Sequence, residues 1–332
     1  MVKSNRNLIF SAAIIVVIVA AGGVGGYVYY QSHKMPSRAN IIIATTTSLY
    51  DTGLLDILAV KFESIYPQYD ISFISAGTGI AIQYAKNGDA SAVLVHETSA
   101  EKQFLEEGYG LCRKIIAYNF FVIVGPEEDP AGIKDVTPKE ALLKIATAGR
   151  EGDAVWVSRG DESGTYAKEK SLWKTAGLNV EELEEEQWYL EAGAGMGSTL
   201  NLANKKRAYT LADTATYLKY SGVGLIDLIV LVSAGYELLN VYSVIATNPG
   251  KGSGVEFEGA IDFVKFLVSD DGQAILSEFG VDEFGQPLFM PAVELLKEES
   301  DSEVGQWIIK YAYIDGSECP SAYWDDHPEL YQ

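Results

Sequence analysis

Ala154-Val155-Trp156-Val157-Ser158-Arg159-Gly160-Asp161-Glu162-Ser163-Gly164-Thr165 is the stretch that decides the fold class. Its four apolar residues read as a buried strand, and Ser163-Gly164-Thr165 opens a helical pattern running through Leu172 and Trp173 to Gly177. The loop between them sets a guanidinium, two hydroxyls and a glycine beside a helix N-terminus. Free N–H groups and the positive end of the helix dipole favour an anion there. Arg159 adds a planar donor fork that matches an oxyanion. The same residues also fit an ordinary capped helix in which Arg159 pairs with Asp161 or Glu162.

Two other stretches repeat the form. Ile41-Ile42-Ile43-Ala44 runs into Thr45-Thr46-Thr47-Ser48, and Asp51-Thr52-Gly53 precedes a helix carrying Leu54, Leu55, Leu58 and Phe62. Ile71-Ser72-Phe73-Ile74-Ser75 runs into Ala76-Gly77-Thr78-Gly79 and a short helix. None of these loops carries a His or Cys, so together they offer neutral donors and one cation. From residue 40 onward strand and helix alternate, which predicts an α/β architecture with mixed, mostly parallel sheets. A long apolar strand is expected over Tyr118–Val124, an acidic helix near 180–187 and a return strand over Tyr242–Ala246. The expected organisation is a two-lobed clamshell. Residues 40–124 plus 242–332 form lobe 1, residues 125–241 form lobe 2, and the ligand cleft lies between them. Residues 307–332 are aromatic without a clear pattern.

Composition narrows the function. Of 25 Lys and Arg, three lie in residues 1–35, which hold no acid; the remainder therefore sets 22 basic against 46 acidic groups, a formal −24. That field repels nucleic acid. It also repels a small anion, so an anion site has to rely on local dipoles and Arg159. Two cysteines, Cys112 and Cys319, are too few for a disulfide framework or a zinc cluster, and they are expected as buried thiols or as a pair. His33, His96 and His327 have no metal-ligand spacing, so no metal or cofactor is expected. Gly193, Gly195 and Gly197 resemble a nucleotide loop only superficially, because no Gly-Lys-Ser/Thr follows them. Ser171-Leu172-Trp173-Lys174 has serine–lysine hydrolase spacing and Ser163 is a conceivable nucleophile, but neither has a His or Asp partner set, so no enzyme is expected.

The 23 residues Leu8–Tyr30 are nearly uncharged and follow Lys3 and Arg6. That length spans a bilayer, and the basic flank places the bulk of the chain outside the cytoplasm. A membrane anchor over residues 1–35 is the expectation, with a signal peptide cleaved near Ala20-Ala21-Gly22 as the alternative.

From about residue 40 to 295 the chain resembles the tungstate-binding proteins of ABC transporters, a branch of the type II periplasmic-binding-protein fold. The resemblance rests on Ala44-Thr45-Thr46-Thr47-Ser48, Gly88-Asp89-Ala90 with Val93-Leu94-Val95-His96, and Val122-Ile123-Val124-Gly125-Pro126. It extends to Val157–Thr165, Gly195-Met196-Gly197 and Tyr209-Thr210-Leu211. It implies capture of tungstate or molybdate outside the membrane and delivery to an ABC permease. By position it implies Thr46, Thr47, Thr78, Arg159, Ser163, Gly164 and Thr165 as anion contacts, with backbone N–H groups near Met196. His96 stands where phosphate receptors of this fold tend to place an Asp; it also fits a core or cap residue. A phosphate receptor of the same fold and a membrane-tethered sensor domain remain the other readings.

Overall fold

The computed structural model describes residues 38–331, apart from 162, 234, 252, 253 and 298–301. In chain order its strands are β1 (Ala39–Thr46), β2 (Tyr69–Ala76), β3 (Ala92–Val95), β4 (Gly110–Gly125), β5 (Trp156–Ser158), β6 (Tyr189–Glu191), β7 (Thr210–Asp213), β8 (Ile229–Val232), β9 (Leu239–Thr247) and β10 (Met290–Pro291). β1 is central to its half of the sheet, paired in parallel with β2 on one side and β3 on the other. Its apolar run and the four residues of β3 are nearly all buried, as expected of strands covered on both faces. The path then runs β3, β9, β4, β10. β4 is shared: Gly110–Phe120 pairs with β9, whereas Phe121–Gly125 pairs with β7 and β8. β5 and β6 make a separate parallel pair, tied back by a bridge from Trp156 to Tyr209.

The sheet is mixed, but parallel pairing does not dominate it. Among the described residues three strand pairs are parallel and five antiparallel. Every antiparallel pair involves β4 or β9. Neither strand belongs to a βαβ unit; each carries the chain across the sheet and so runs against its neighbours. Alternation of strand and helix in the sequence does not reveal that direction.

The helices pack where apolar spacing directs them. Phe62 of helix Leu54–Ile65 meets Phe263 of helix Phe257–Val268 edge to face at 5.2 Å, in a core drawn from residues 41–117 and 242–330 plus Ala215. A second core lies wholly within residues 121–238 and centres on Trp156, Trp173 and Trp188. Cys112 and Cys319 are both buried, in different cores.

Three elements differ from the sequence expectation. β4 starts eight residues before Tyr118, at Gly110. Arg113 and Lys114 conceal that start, because charged residues do not read as a buried strand. They are tolerated because Arg113 meets Glu101 at 2.7 Å and donates to the Glu318 carbonyl at 2.6 Å, while Lys114 meets the Glu318 carboxylate at 2.6 Å. The acidic helix is only Val180–Leu183. The aromatic tail contains a helix, Glu303–Ala312, capped by Ser302; its Ile308 and Ala312 pack against Ile115, Leu239 and Val241. The apolar run 8–30 lies outside the described residues, and among those described no helix is long and apolar enough to cross a membrane.

Glu101 and Arg113 are both buried, and burial raises the Glu101 carboxyl while Arg113 opposes the rise. Arg113→Met strands that carboxylate and should cost about 3–5 kcal/mol of stability, read from the urea midpoint. The double change Arg113→Met, Glu101→Leu should recover most of it. Equal losses for the single and double variants would contradict this account.

Candidate functional site

β1 and β2 end side by side, with Thr46 opposite Ala76, and β3 ends beside them at Val95-His96. At this edge the chain turns from strand to helix repeatedly. Thr46 caps helix Thr47–Thr52, its hydroxyl accepting from Leu49 N–H at 3.4 Å. Gly77 precedes helix Thr78–Asn87. From the other half of the molecule, Ser163 caps helix Gly164–Thr175 by accepting from Tyr166 N–H at 3.2 Å, and Gly195 precedes helix Met196–Lys206.

Arg159 joins the two halves. Its Nη2 donates to Thr47 Oγ1 at 2.8 Å, Nη1 to Thr165 Oγ1 at 3.4 Å and Nε to Asp161 Oδ2 at 2.9 Å. The side chain is 2% exposed. Gly195 lies alongside, where a Cβ would come 4.0 Å from Thr47 Oγ1. Arg159, Thr47, Thr165 and the start of the Met196 helix are thus brought together. Thr46 and Ser163 are engaged as caps. Gly164 packs under His96, where a Cβ would come 3.0 Å from the ring. Thr78 makes no hydrogen bond to the others: its Oγ1 is buried and without a partner among the described residues. Ser171 and Lys174, the hydrolase-like pair, are exposed.

The helices that begin here share a charge pattern. Thr47–Thr52, Thr78–Asn87, Gly164–Thr175, Met196–Lys206 and Thr214–Gly222 have no acidic residue in the first turn. The other described α-helices all have one, such as Asp56, Glu101, Glu140, Glu181, Glu258, Asp270, Asp282, Glu294 and Glu303. A carboxylate there stabilises a helix by opposing its dipole. In so acidic a chain, four of the five have no carboxylate at the cap either and leave their positive ends for a charge from elsewhere; the fifth, Thr214–Gly222, is capped by Asp213.

Nearby carboxylates are mostly committed. Asp161 orients Arg159, and Glu97 caps helix Thr98–Glu106 through Ala100 N–H at 2.9 Å. Glu169 accepts from Tyr189 Oη at 2.7 Å, Trp156 Nε1 at 2.8 Å, Trp173 Nε1 at 3.3 Å and Arg159 N–H at 3.3 Å. Burial raises its carboxyl, and Tyr189, Trp156, Ser158 and the Arg159 amide oppose the rise. They anchor the Arg159 loop from behind. Asp213, buried at the end of β7, caps helix Thr214–Gly222.

His96 is a core residue. Its ring stacks on Tyr242 at 5.0 Å, and Nδ1 lies 2.7 Å from Asn240 Oδ1. The tautomer follows from a chain of amides. The Leu288 carbonyl only accepts, so Asn119 Nδ2 donates to it; Asn119 Oδ1 then accepts from Asn240 Nδ2, and Asn240 Oδ1 accepts from His96 Nδ1–H. Burial pulls the ring down to about 4, with Asn240 opposing and Arg159 and Lys168 adding to the fall.

Glu169, Asp213 and the Asn119–Asn240 pair escape the sequence reading. Asp213 had a readable signal: Thr210-Leu211-Ala212-Asp213-Thr214 is another strand running into a capped helix. Glu169 had none, because a glutamate in mid-helix reads as a solvated face.

The PBP superfamily domain matches residues 31–271. The chain is 39% identical over 261 residues to the tungstate-binding protein TupA of Peptoclostridium acidaminophilum, covering 78% of this chain and 87% of that protein. The tungstate ABC transporter structure from Geobacter sulfurreducens superposes with a TM-score of 0.64 at 39% identity, covering 72% of this chain and 98% of that one. TupA from Desulfovibrio alaskensis G20 gives 0.65 at 40% identity, covering 76% and 98%. The chain belongs to the family of the tungstate-binding proteins TupA.

Because His96 stays neutral when folded but protonates near 6.5 when unfolded, the unfolded chain binds more protons between about pH 6.5 and 4. Stability should therefore fall as pH drops through that window. The stability gap between the parent and His96→Gln should narrow by about 2 kcal/mol from pH 6.5 to 4.5 in denaturant titrations. A constant gap would show that His96 is not held neutral.

Proposed function

We propose that this protein captures tungstate, or its near-equal in size and charge molybdate, outside the cytoplasm and hands it to the permease of an ABC importer. The observation that carries the reading is Arg159 together with four helix N-termini, at Thr47, Thr78, Gly164 and Met196, that have no acid in cap or first turn, in a chain that places acids in the first turns of nine other described α-helices. Such a site suits an anion that is fully deprotonated and needs donors only. Family membership supports the reading. In it, residues 40–124 plus 242–332 and residues 125–241 act as lobes closing on the anion, with the Arg159–Thr47 bond spanning them. Thr46, Thr47, Thr78, Arg159, Ser163, Gly164, Thr165 and the backbone near Met196 are assigned as contacts. The energetics are adequate: nanomolar binding needs about −12 kcal/mol. Roughly seven hydrogen bonds to a charged oxyanion, at about 1.5–3 kcal/mol each, can exceed the desolvation and closure costs.

Calorimetric titration with tungstate, molybdate, sulfate and phosphate tests the reading. Tungstate and molybdate should bind tightly; sulfate and phosphate, being smaller, cannot reach all donors at once and should bind at least a hundredfold more weakly. Arg159→Ala should weaken tungstate binding by about 2–5 kcal/mol, and Arg159→Lys should restore only part, lacking the planar fork. Phosphate binding equal to tungstate, or an unaffected Arg159→Ala variant, would overturn this assignment.

The localisation proposal rests on residues 8–30 as an uncleaved anchor. Carbonate-washed membranes should retain the protein, and surface protease should reach residues beyond 36. A mature chain starting near residue 22 that washes off would refute it.

A further inference from the structure

Asp213 does more than its cap requires. Its Oδ1 accepts from Thr216 N–H at 2.8 Å, which satisfies the helix. Its Oδ2 is fully buried and makes no hydrogen bond of good geometry among the described residues, although the Thr216 hydroxyl, likewise buried and unpaired, is close enough to hold the carboxyl down. Asn or Ser would cap as well with no charge, so capping leaves the second oxygen unexplained. The helix it caps is one of the five whose first turns hold no acid.

Asp213 is near enough to Arg159 to feel its charge. Asp213 lies opposite Phe121 in β4, over which the His96 ring is stacked at 6.2 Å. Tyr242 of β9, against His96, has its phenol raised mainly by burial and further by the Asp213 charge. From the loop after β5, Arg159 acts on Asp213 while already donating to Asp161. Lys168 on helix Gly164–Thr175 donates to the Glu237 carbonyl at 3.1 Å and lies over the rings of Tyr311 and, at 5.7 Å, Phe121. Helix Met196–Lys206 brings its lysines only at the far end. Burial pushes the Asp213 carboxyl above the ordinary carboxylate range, opposed by Thr216 and then by Arg159. An ionised Asp213 would repel an arriving oxyanion. A protonated one is a further donor.

We propose that Asp213 binds the oxyanion as a neutral acid: Oδ2 takes up a proton as the anion enters and donates that hydrogen to an anion oxygen. The assignment rests on the receptor reading above, and it makes binding consume protons wherever Asp213 is ionised in the free protein.

Full-length protein in detergent, titrated with micromolar tungstate between pH 6.5 and 9.5 in paired buffers of different ionisation enthalpy, gives both affinity and proton count. Uptake should rise towards one proton per anion at the alkaline end, with affinity falling up to tenfold per pH unit there. Asp213→Asn keeps the capping Oδ1 and puts an amide N–H where Oδ2 was. It should bind tungstate with no proton uptake and a flat pH profile, and at pH 9.5 more tightly than the parent. Tungstate binding by the parent without proton uptake across the range would overturn the role of Asp213 and leave the receptor reading intact. That measurement stands even if the variant fails to fold. Absence of tungstate binding by the parent would overturn both.

Discussion

A helix N-terminus is a fixed partial positive charge, and proteins usually neutralise it with a carboxylate of their own. This chain does so in the first turns of its other described α-helices and leaves five first turns without one; of those five only Thr214–Gly222 has a carboxylate cap, Asp213. The rest of the site follows from that restraint. With no acid in those turns, Thr46, Ser163 and Asp213 serve as caps, glycines precede two of the helices, and the one guanidinium has to be held by Asp161. The outer surface can then be strongly acidic without spoiling the site, because dipoles and buried donors act over a few ångströms while exposed charges are screened beyond about 8–10 Å.

Local chemistry made much of this readable. Strand followed by Thr, Ser or Gly and then helix located three of the five N-termini, and the Arg159 loop stood out because it repeats that form with a guanidinium added, although an arginine there also fits the pairing with Asp161 that the structure shows. Strand direction was not readable, since it depends on which of several distant partners β4 and β9 take. The start of β4 was hidden for a related reason. Arg113 and Lys114 look solvent-facing until Glu101 and Glu318, 12 and 204 residues away, are seen to meet them. His96 shows the limit from the other side: its place at a strand end admitted a cleft role, and only Asn240, 144 residues away, makes it a core residue.

Behind the site the structure is unusually committed. Glu169 gathers four donors, and one is the Arg159 amide, so the loop backbone is fixed before its guanidinium reaches for Thr47. Preorganised donors lose little freedom on binding, which is how a few hydrogen bonds become tight recognition.

The shared strand has a consequence in time. β4 is complete at residue 125, yet its partners β7 and β9 begin at residues 210 and 239. During synthesis at about 5–20 residues per second, both edges of a 16-residue, mostly apolar strand wait on the order of ten seconds for their neighbours. Neither core can close its sheet without that strand, so the halves cannot mature one after the other, and folding is bound to long-range pairing. The buried lysine and arginine near the start of β4 then act twice: in the finished protein they hold the tail, and in the nascent chain they are the charges that keep an open edge from pairing with a stranger.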